Sequence, residues 1–386
     1  MTRKKLSRRS KSNVEELADK VVETSHKKKE KERPVDWIST GSTVLNLASS
    51  QLGEKGGWPR GRIIRLVGDG SSGKTLCALE ACAQAVYNMT GSTSKNFPKV
   101  KKVVVVYNNI EGVMDFPIKE MYGEKFASTV EFVCIRSVEG TGRDLGKRLT
   151  KVKPGTFFLY VIDSWDFAKS EQEFDEFDKA AKEDQEQKKN FGQSKPSYTT
   201  QKFFPNIARK MEGKDALIII IAQTRDNIGV MFGPKKRVGG GGAFGFYTHQ
   251  EPWLREVRKL SKKVRGKEVI YGVEVEAQFK RNKVALPFRK ASFTIYFDYG
   301  IDDVGSMLDW YFGKDKSGKS KSLTAKQINS LKLGKKIKKG SHTHDKVVRF
   351  IEKNNLEGRL QDFIESEWHA IEAEGKTKNR KVRFDQ

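Results

Sequence analysis

The stretch Gly68-Asp69-Gly70-Ser71-Ser72-Gly73-Lys74-Thr75 constrains this chain more than any other. It fits the pattern Gly-x-x-x-x-Gly-Lys-Thr in full, follows the apolar run 63–67 and opens a helical segment over 75–87. A glycine-rich turn between a strand and a helix lets backbone N–H groups surround an anion at a helix N-terminus. Lys74 then reaches the β- and γ-phosphates of a nucleotide, and the Thr75 hydroxyl ligates magnesium.

Three further β-type runs, 103–107, 157–162 and 217–221, are nearly continuous in apolar residues. That pattern marks strands buried on both faces of a parallel sheet, and helical segments such as 201–211 lie between them. The expected class is therefore α/β, with a mostly parallel central sheet. The alternating stretch 272–279 and the run 292–297 predict an antiparallel extension. Asp163 ends the third run, where an acid helps hold magnesium. Glu111 follows the second run and is a candidate general base at the carboxyl ends of the strands. Gln223 ends the fourth, placed for its amide to sense a γ-phosphate.

Charge narrows the partner. Lys and Arg number 74 against 49 Asp and Glu, a formal net charge of +25, which favours a polyanion bound through counterion release. The segment 224–242 is rich in glycine and base. Arg225, Lys235, Lys236 and Arg237 are candidate phosphate contacts, and Val230, Met231 and Phe232 form an apolar wedge suited to unstacked bases. Residues 1–35 read as a basic arm whose Val14, Leu17, Val21 and Val22 make a narrow stripe for docking on a partner. Residues 314–343 read as a Lys-rich linker and 344–386 as a small helical module.

Some classes are set aside. No apolar stretch approaches the roughly 18 residues that span a bilayer, and no apolar signal core follows the basic N-terminus, so the expectation is a protein inside the cell. Cys77, Cys82 and Cys134 read as buried free thiols, and His342 and His344 as exposed polar residues rather than metal ligands.

Several segments, in this order, resemble the bacterial RecA family and its phage relatives over residues 36–312. They are Ile38-Ser39-Thr40-Gly41-Ser42, Pro59-Arg60-Gly61-Arg62-Ile63, Ile228-Gly229-Val230-Met231-Phe232-Gly233 and Lys280-Arg281-Asn282-Lys283-Val284-Ala285-Leu286-Pro287-Phe288. The resemblance implies a RecA-type P-loop ATPase core over 36–313, using ATP and Mg2+. The N-terminal arm would be a polymerisation element at the subunit interface. Glu111 would activate water, Asp163 would serve magnesium, and Gln223 would couple the γ-phosphate to a DNA-binding loop. Arg281 and Lys283 fall where the family reaches a neighbouring subunit's ATP, Phe246 at a relay between subunits, and Asp115 near the adenine.

The implied function is an ATP-dependent recombinase that forms helical filaments of itself on single-stranded DNA and pairs it with homologous duplex. Single-strand-binding and mediator proteins would be further partners, and the cytoplasm of a bacterial or phage-infected cell the setting. A hexameric helicase or an ATP-binding DNA-coating mediator is the alternative. The chain departs from the family at Asn109, where an acid usually precedes the catalytic Glu, and at Ile118, where an aromatic often stacks on adenine. The first DNA-binding loop falls within 167–200.

Overall fold

The apolar runs are strands because both of their faces meet protein. In β3 (Arg62–Gly68), β4 (Lys102–Asn109), β6 (Thr156–Asp163) and β7 (Ala216–Asp226), alternate side chains enter opposite layers. Ile64, Leu66, Val105, Leu159, Val161, Leu217, Ile219 and Ile221 pack into one. Ile63, Val106, Phe158, Tyr160, Ile162, Ile218 and Ile220 pack into the other. The structure, a computed structural model, describes residues 35–91, 97, 99–112, 114, 117–183, 194–226, 236–239 and 243–375. Asp36–Gln386 forms one unit. Met1–Val35 is another, in which Val35 alone is described, so the stripe expected from Val14 to Val22 lies outside the described residues.

A small antiparallel pair, β1 (Trp37–Ile38) with β2 (Trp58–Pro59), precedes the main sheet. Between them the helix Thr43–Ser50 starts at Ser42, whose side chain accepts from the Leu45 N–H. The main sheet has the order β12-β11-β10-β9-β3-β7-β6-β4-β5, with β5 at Val130–Val133. From β9 to β5 all neighbours are parallel. From β9 to β12 they are antiparallel, as the alternating stretch predicted. The α/β class with its mostly parallel sheet is therefore what the chain adopts.

The antiparallel part comprises β9 (Gln250–Val264), β10 (Lys267–Asn282), β11 (Lys290–Tyr296) and β12 (Gly300–Asp302). β9 was not anticipated. Its outer half carries Arg258, Lys259, Lys262 and Lys263 and pairs mainly with β10, so no buried face imposes an apolar pattern on it. A short β8 (Lys236–Val238) turns back along the end of β7.

Three expectations need correction. The span 314–343 is more than a linker. It carries β13 (Leu323–Thr324), the helix Ala325–Ser330 and β14 (Ser341–His342), and its Leu323, Ile328, Leu331 and Leu333 are buried. These pack in the same apolar cluster as Val347, Ile351, Leu360, Ile364 and Trp368 of the helices His344–Lys353 and Glu357–Glu374. Of the cysteines, Cys77 and Cys82 are buried but Cys134 is exposed, because it lies beyond the edge strand β5. His342 and His344 are both half-buried, with His344 Nε2 3.4 Å from an Asp309 carboxylate oxygen. Among the described residues no helix is long and apolar enough to cross a membrane.

Candidate nucleotide site and the hairpin beside it

β3 stops at Gly68, where a Cβ would lie 2.5 Å from the Leu254 carbonyl oxygen, so only glycine lets the chain turn here. The turn ends at Gly73 with φ +83°, a left-handed conformation that glycine adopts without strain. Gly73 offers no side-chain cap to the helix Lys74–Asn88, leaving its first N–H groups for an anion. Asp69, Gly70, Ser71 and Ser72 form the intervening loop. Within it Lys74 Nζ donates to the Asp69 carbonyl oxygen and lies 3.3 Å from Ser72 Oγ. Lys74 is buried, and burial pulls its pKa down against the pull of nearby carboxylates.

Register brings the remaining groups to this loop. Parallel pairing aligns Gly68 with Gln223 and Asn109 with Asp163, so four strand ends open on one crevice. Thr75 Oγ1 donates to Asp163 Oδ2 at 2.9 Å, and the Tyr107 hydroxyl donates to the same oxygen at 2.6 Å. Burial raises the Asp163 pKa, and those two hydrogen bonds with Lys74 oppose the rise. Glu111 stands two residues past β4 and accepts from Ser164 Oγ at 3.1 Å. Partial desolvation raises its pKa, although the residue as a whole is exposed.

The oxygen donors fit a hard divalent cation. The Thr75 hydroxyl and the Asp163 carboxylate converge, and magnesium prefers one or two protein oxygens together with phosphate and water. Among the described residues no cluster of three His, Cys, Asp or Glu could hold a metal by itself.

Beyond β7 the backbone N–H of Gln223 donates to Asp166 Oδ2 at 2.7 Å, and the Arg225 guanidinium lies 3.8 Å from the same carboxylate. The antiparallel pairs Thr224 with Val238, Arg225 with Arg237 and Asp226 with Lys236 fold β8 back. Thr224 Oγ1 and Lys236 Nζ both donate to the Asp69 carboxylate. Arg65, in the middle of β3, is buried over the Phe244 ring at 4.0 Å, 3.6 Å from Glu251, and donates to the Gly239 carbonyl. Lys195 donates to the carbonyls of Trp165 at 2.5 Å and Ala168 at 2.6 Å, fixing the segment that carries Asp166.

A second group gathers around the short helix Ala243–Tyr247. Phe246 is 81% exposed. Arg281 donates to the Gly245 carbonyl, and Lys283 Nζ lies 3.1 Å from that oxygen and 2.6 Å from the Phe246 carbonyl. Of the expected site residues, the loop from Gly68 to Thr75 comes together with Glu111, Asp163, Gln223 and Lys236. Arg225 sits beside them, while Arg281, Lys283 and Phe246 form the second group. Asp115, Val230, Met231, Phe232 and Lys235 lie outside the described residues, as does the side chain of Arg237.

Sequence reasoning missed Tyr107, Ser164, Asp166, Thr224 and Arg65. A charge inside an otherwise apolar strand marks Arg65, and a polar atom at each strand end marks the others.

Comparison with known proteins agrees with this geometry. The RecA N-terminal domain family matches residues 13–97 and 183–302. Protein RecA of Methylococcus capsulatus is 31% identical over 303 residues, covering 75% of this chain and 77% of that protein. Protein RecA of Methylobacterium radiotolerans is 28% identical over 286 residues, covering 73% and 68%. Protein RecA of Acinetobacter baylyi is 26% identical over 324 residues, covering 83% and 79%. With a matching P-loop core and a relative of this identity and coverage, the chain belongs to the RecA family.

Proposed function

We propose that this chain is an ATP-dependent recombinase that assembles on single-stranded DNA and pairs it with a homologous duplex. The observation that carries the reading is the joining of two parts. The crevice of Lys74, Thr75, Asp163 and Glu111 is bonded, through Asp69, to the hairpin that leads into the apolar segment 227–235, flanked by Arg225, Lys236 and Arg237. Names of relatives support the family; the activity rests on these residues.

In this reading the P-loop N–H groups and Lys74 cradle the phosphates of ATP. Thr75 and Asp163 would hold magnesium, which supplies neutralisation of phosphate charge. Ser164 orients Glu111, whose raised pKa suits it to take a proton from the attacking water. Water adds to the γ-phosphorus, the bond to the β-phosphate oxygen breaks, and ADP and inorganic phosphate result. The family match omits residues 98–182, so the role of Glu111 stands on its position after β4 and its Ser164 bond.

Gln223 lies beside the P-loop by register, so its amide can report the γ-phosphate to the segment that follows. Arg225, Lys235 and Arg237 are suited to DNA phosphates, and Val230, Met231 and Phe232 to the gaps between unstacked bases. Arg281, Lys283 and the exposed Phe246 would face a neighbouring copy, giving a helical assembly. Asp115 would lie near the adenine. Single-strand-binding and mediator proteins are natural companions of such an assembly, and the cytoplasm is its natural setting.

ATP hydrolysis measured with and without single-stranded DNA, with electron microscopy of the same samples, tests this. DNA-stimulated hydrolysis with open helical filaments is the expected result. Closed rings with duplex unwinding would overturn it in favour of a helicase, and DNA coating without hydrolysis in favour of a mediator.

A further inference from the structure

Asp69 is unusual among the P-loop residues because it gathers two ammonium groups. Its backbone carbonyl accepts from Lys74, and its carboxylate accepts from Lys236 and from Thr224 Oγ1. The bond from Lys236 does most to hold this carboxylate below its usual range, followed by that from Thr224. These partners stand 155 and 167 residues away in the chain, so the contact is a product of the fold. Lys236, expected as a DNA-phosphate contact, has its ammonium at the nucleotide loop.

Lys236 is also the first residue of β8 and pairs with Asp226 at the end of β7. The two residues bracket the segment 227–235. Whatever fixes Lys236 therefore fixes where that segment leaves and rejoins the fold. A triphosphate in the loop adds negative charge beside Asp69, and an ammonium already held there is drawn to it more strongly. Lys74 and Lys236 are both held on Asp69, one by its carbonyl oxygen and one by its carboxylate, so two ammonium groups stand at the loop that takes the phosphates.

We propose that Lys236 is a second ammonium for the terminal phosphate, positioned by Asp69, and that a triphosphate, unlike a diphosphate, clamps the β7–β8 hairpin onto the P-loop. The proposal rests on the reading of this crevice as an ATP site and deepens it. Asp69 acts through Lys236 and is a positioning residue; Lys236 is the group that touches the nucleotide.

The test is calorimetric titration of the full-length chain, with Mg2+, using ADP and a non-hydrolysable imido analogue of ATP. The quantity read is the ratio of the two affinities. Lys236→Met is expected to lower the triphosphate preference about tenfold, the size of one charge-assisted contact. Asp69→Asn should lower the same ratio even though removing its negative charge eases binding of both nucleotides. The double variant should fall no further than Lys236→Met, because the two act through one contact. Lys236→Arg, which keeps the charge, should retain most of the preference.

An unchanged ratio in Lys236→Met, additive losses in the double variant, or Lys236→Arg as low as Lys236→Met would each overturn the proposal. A wild-type chain that binds neither nucleotide would instead overturn the ATP-site reading beneath it. Lys236 is an exposed side chain, so its replacement leaves the core intact.

Discussion

Replacing Glu80 by Gln should stabilise this protein above neutral pH and leave it nearly unchanged in mild acid. Glu80 sits on the P-loop helix, packed so closely that a Cβ on Gly41 would overlap it and one on Gly300 would lie 3.4 Å from its Oε2. Among the described residues its hydrogen-bond donor is Gln84 Nε2 at 3.3 Å, and the charge of Asp303 repels it. Burial therefore pushes its pKa from 4.5 up to about 7. The folded chain holds this proton more tightly than the unfolded chain. Stability contributed by the protonated form is complete below pH 4.5 and is lost as pH rises through about 7. At about 1.36 kcal/mol per pH unit the interval corresponds to about 3 kcal/mol, reduced to about 2 kcal/mol because the residue keeps some solvent contact. Glutamine has the same shape, stays neutral and can still accept from Gln84. With an unfolding entropy of about 2.1 cal/mol/K per residue, about 2 kcal/mol corresponds to roughly 3 °C in Tm for a chain of this length. The assay is thermal unfolding of both proteins at pH 5 and pH 8, compared as differences so that other carboxylates cancel. A variant shift at pH 8 no larger than at pH 5 would refute the reasoning.

Phe246→Ala should change stability by less than about 0.5 kcal/mol, because the ring is 81% exposed, yet abolish filaments seen by electron microscopy. Asp215→Ala should cost about 3 kcal/mol in urea unfolding, since among the described residues it leaves the buried Arg60 guanidinium with Asp36, at 2.8 Å, as its one carboxylate partner. Trp368→Ala should cost about 3–5 kcal/mol and raise proteolysis of the last two helices, because the indole stacks on Trp310 at 5.6 Å and donates to Gln51 at 3.2 Å. Glu111→Gln should lower the hydrolysis rate by about a hundredfold or more while nucleotide binding, followed by calorimetry, persists.

The parallel sheet and the P-loop were legible because each is a local pattern. Four apolar runs, each buried on both faces, need no knowledge of their neighbours to be recognised, and Gly68 to Thr75 carry their own geometry. What could not be read locally depends on partners far along the chain. Asp166 becomes meaningful only when β6 lies beside β7 and its carboxylate meets the Gln223 N–H. Lys236 looked like one more base in a basic loop until the fold put it on Asp69. The buried Leu323, Ile328, Leu331 and Leu333 were masked by the lysines between them, which keep their charges in water while the chain packs its apolar side. The outer half of β9 has no apolar face to show, because it is held by pairing with β10.

The balance of charge at the crevice bears on why such a chain would assemble with itself. Four carboxylates, Asp163, Asp69, Glu111 and Asp166, act on Lys74. Each is already engaged: Asp163 by Thr75 and Tyr107, Asp69 by Thr224 and Lys236, Glu111 by Ser164, and Asp166 by the Gln223 N–H. A triphosphate entering there adds several charges of the same sign, and the cations at hand are few. Meanwhile Arg281 and Lys283 donate to the neutral carbonyl oxygens of Gly245 and Phe246, and among the described residues neither forms an ion pair. An ammonium or guanidinium gains more from a phosphate than from a neutral carbonyl. One surface short of cations and another holding two cations without anions on the same chain are complementary between copies rather than within one. A head-to-tail contact of that kind supports self-assembly, and the rotation between copies decides whether it closes into a ring or winds into a helix, which is what electron microscopy of the assembly reads.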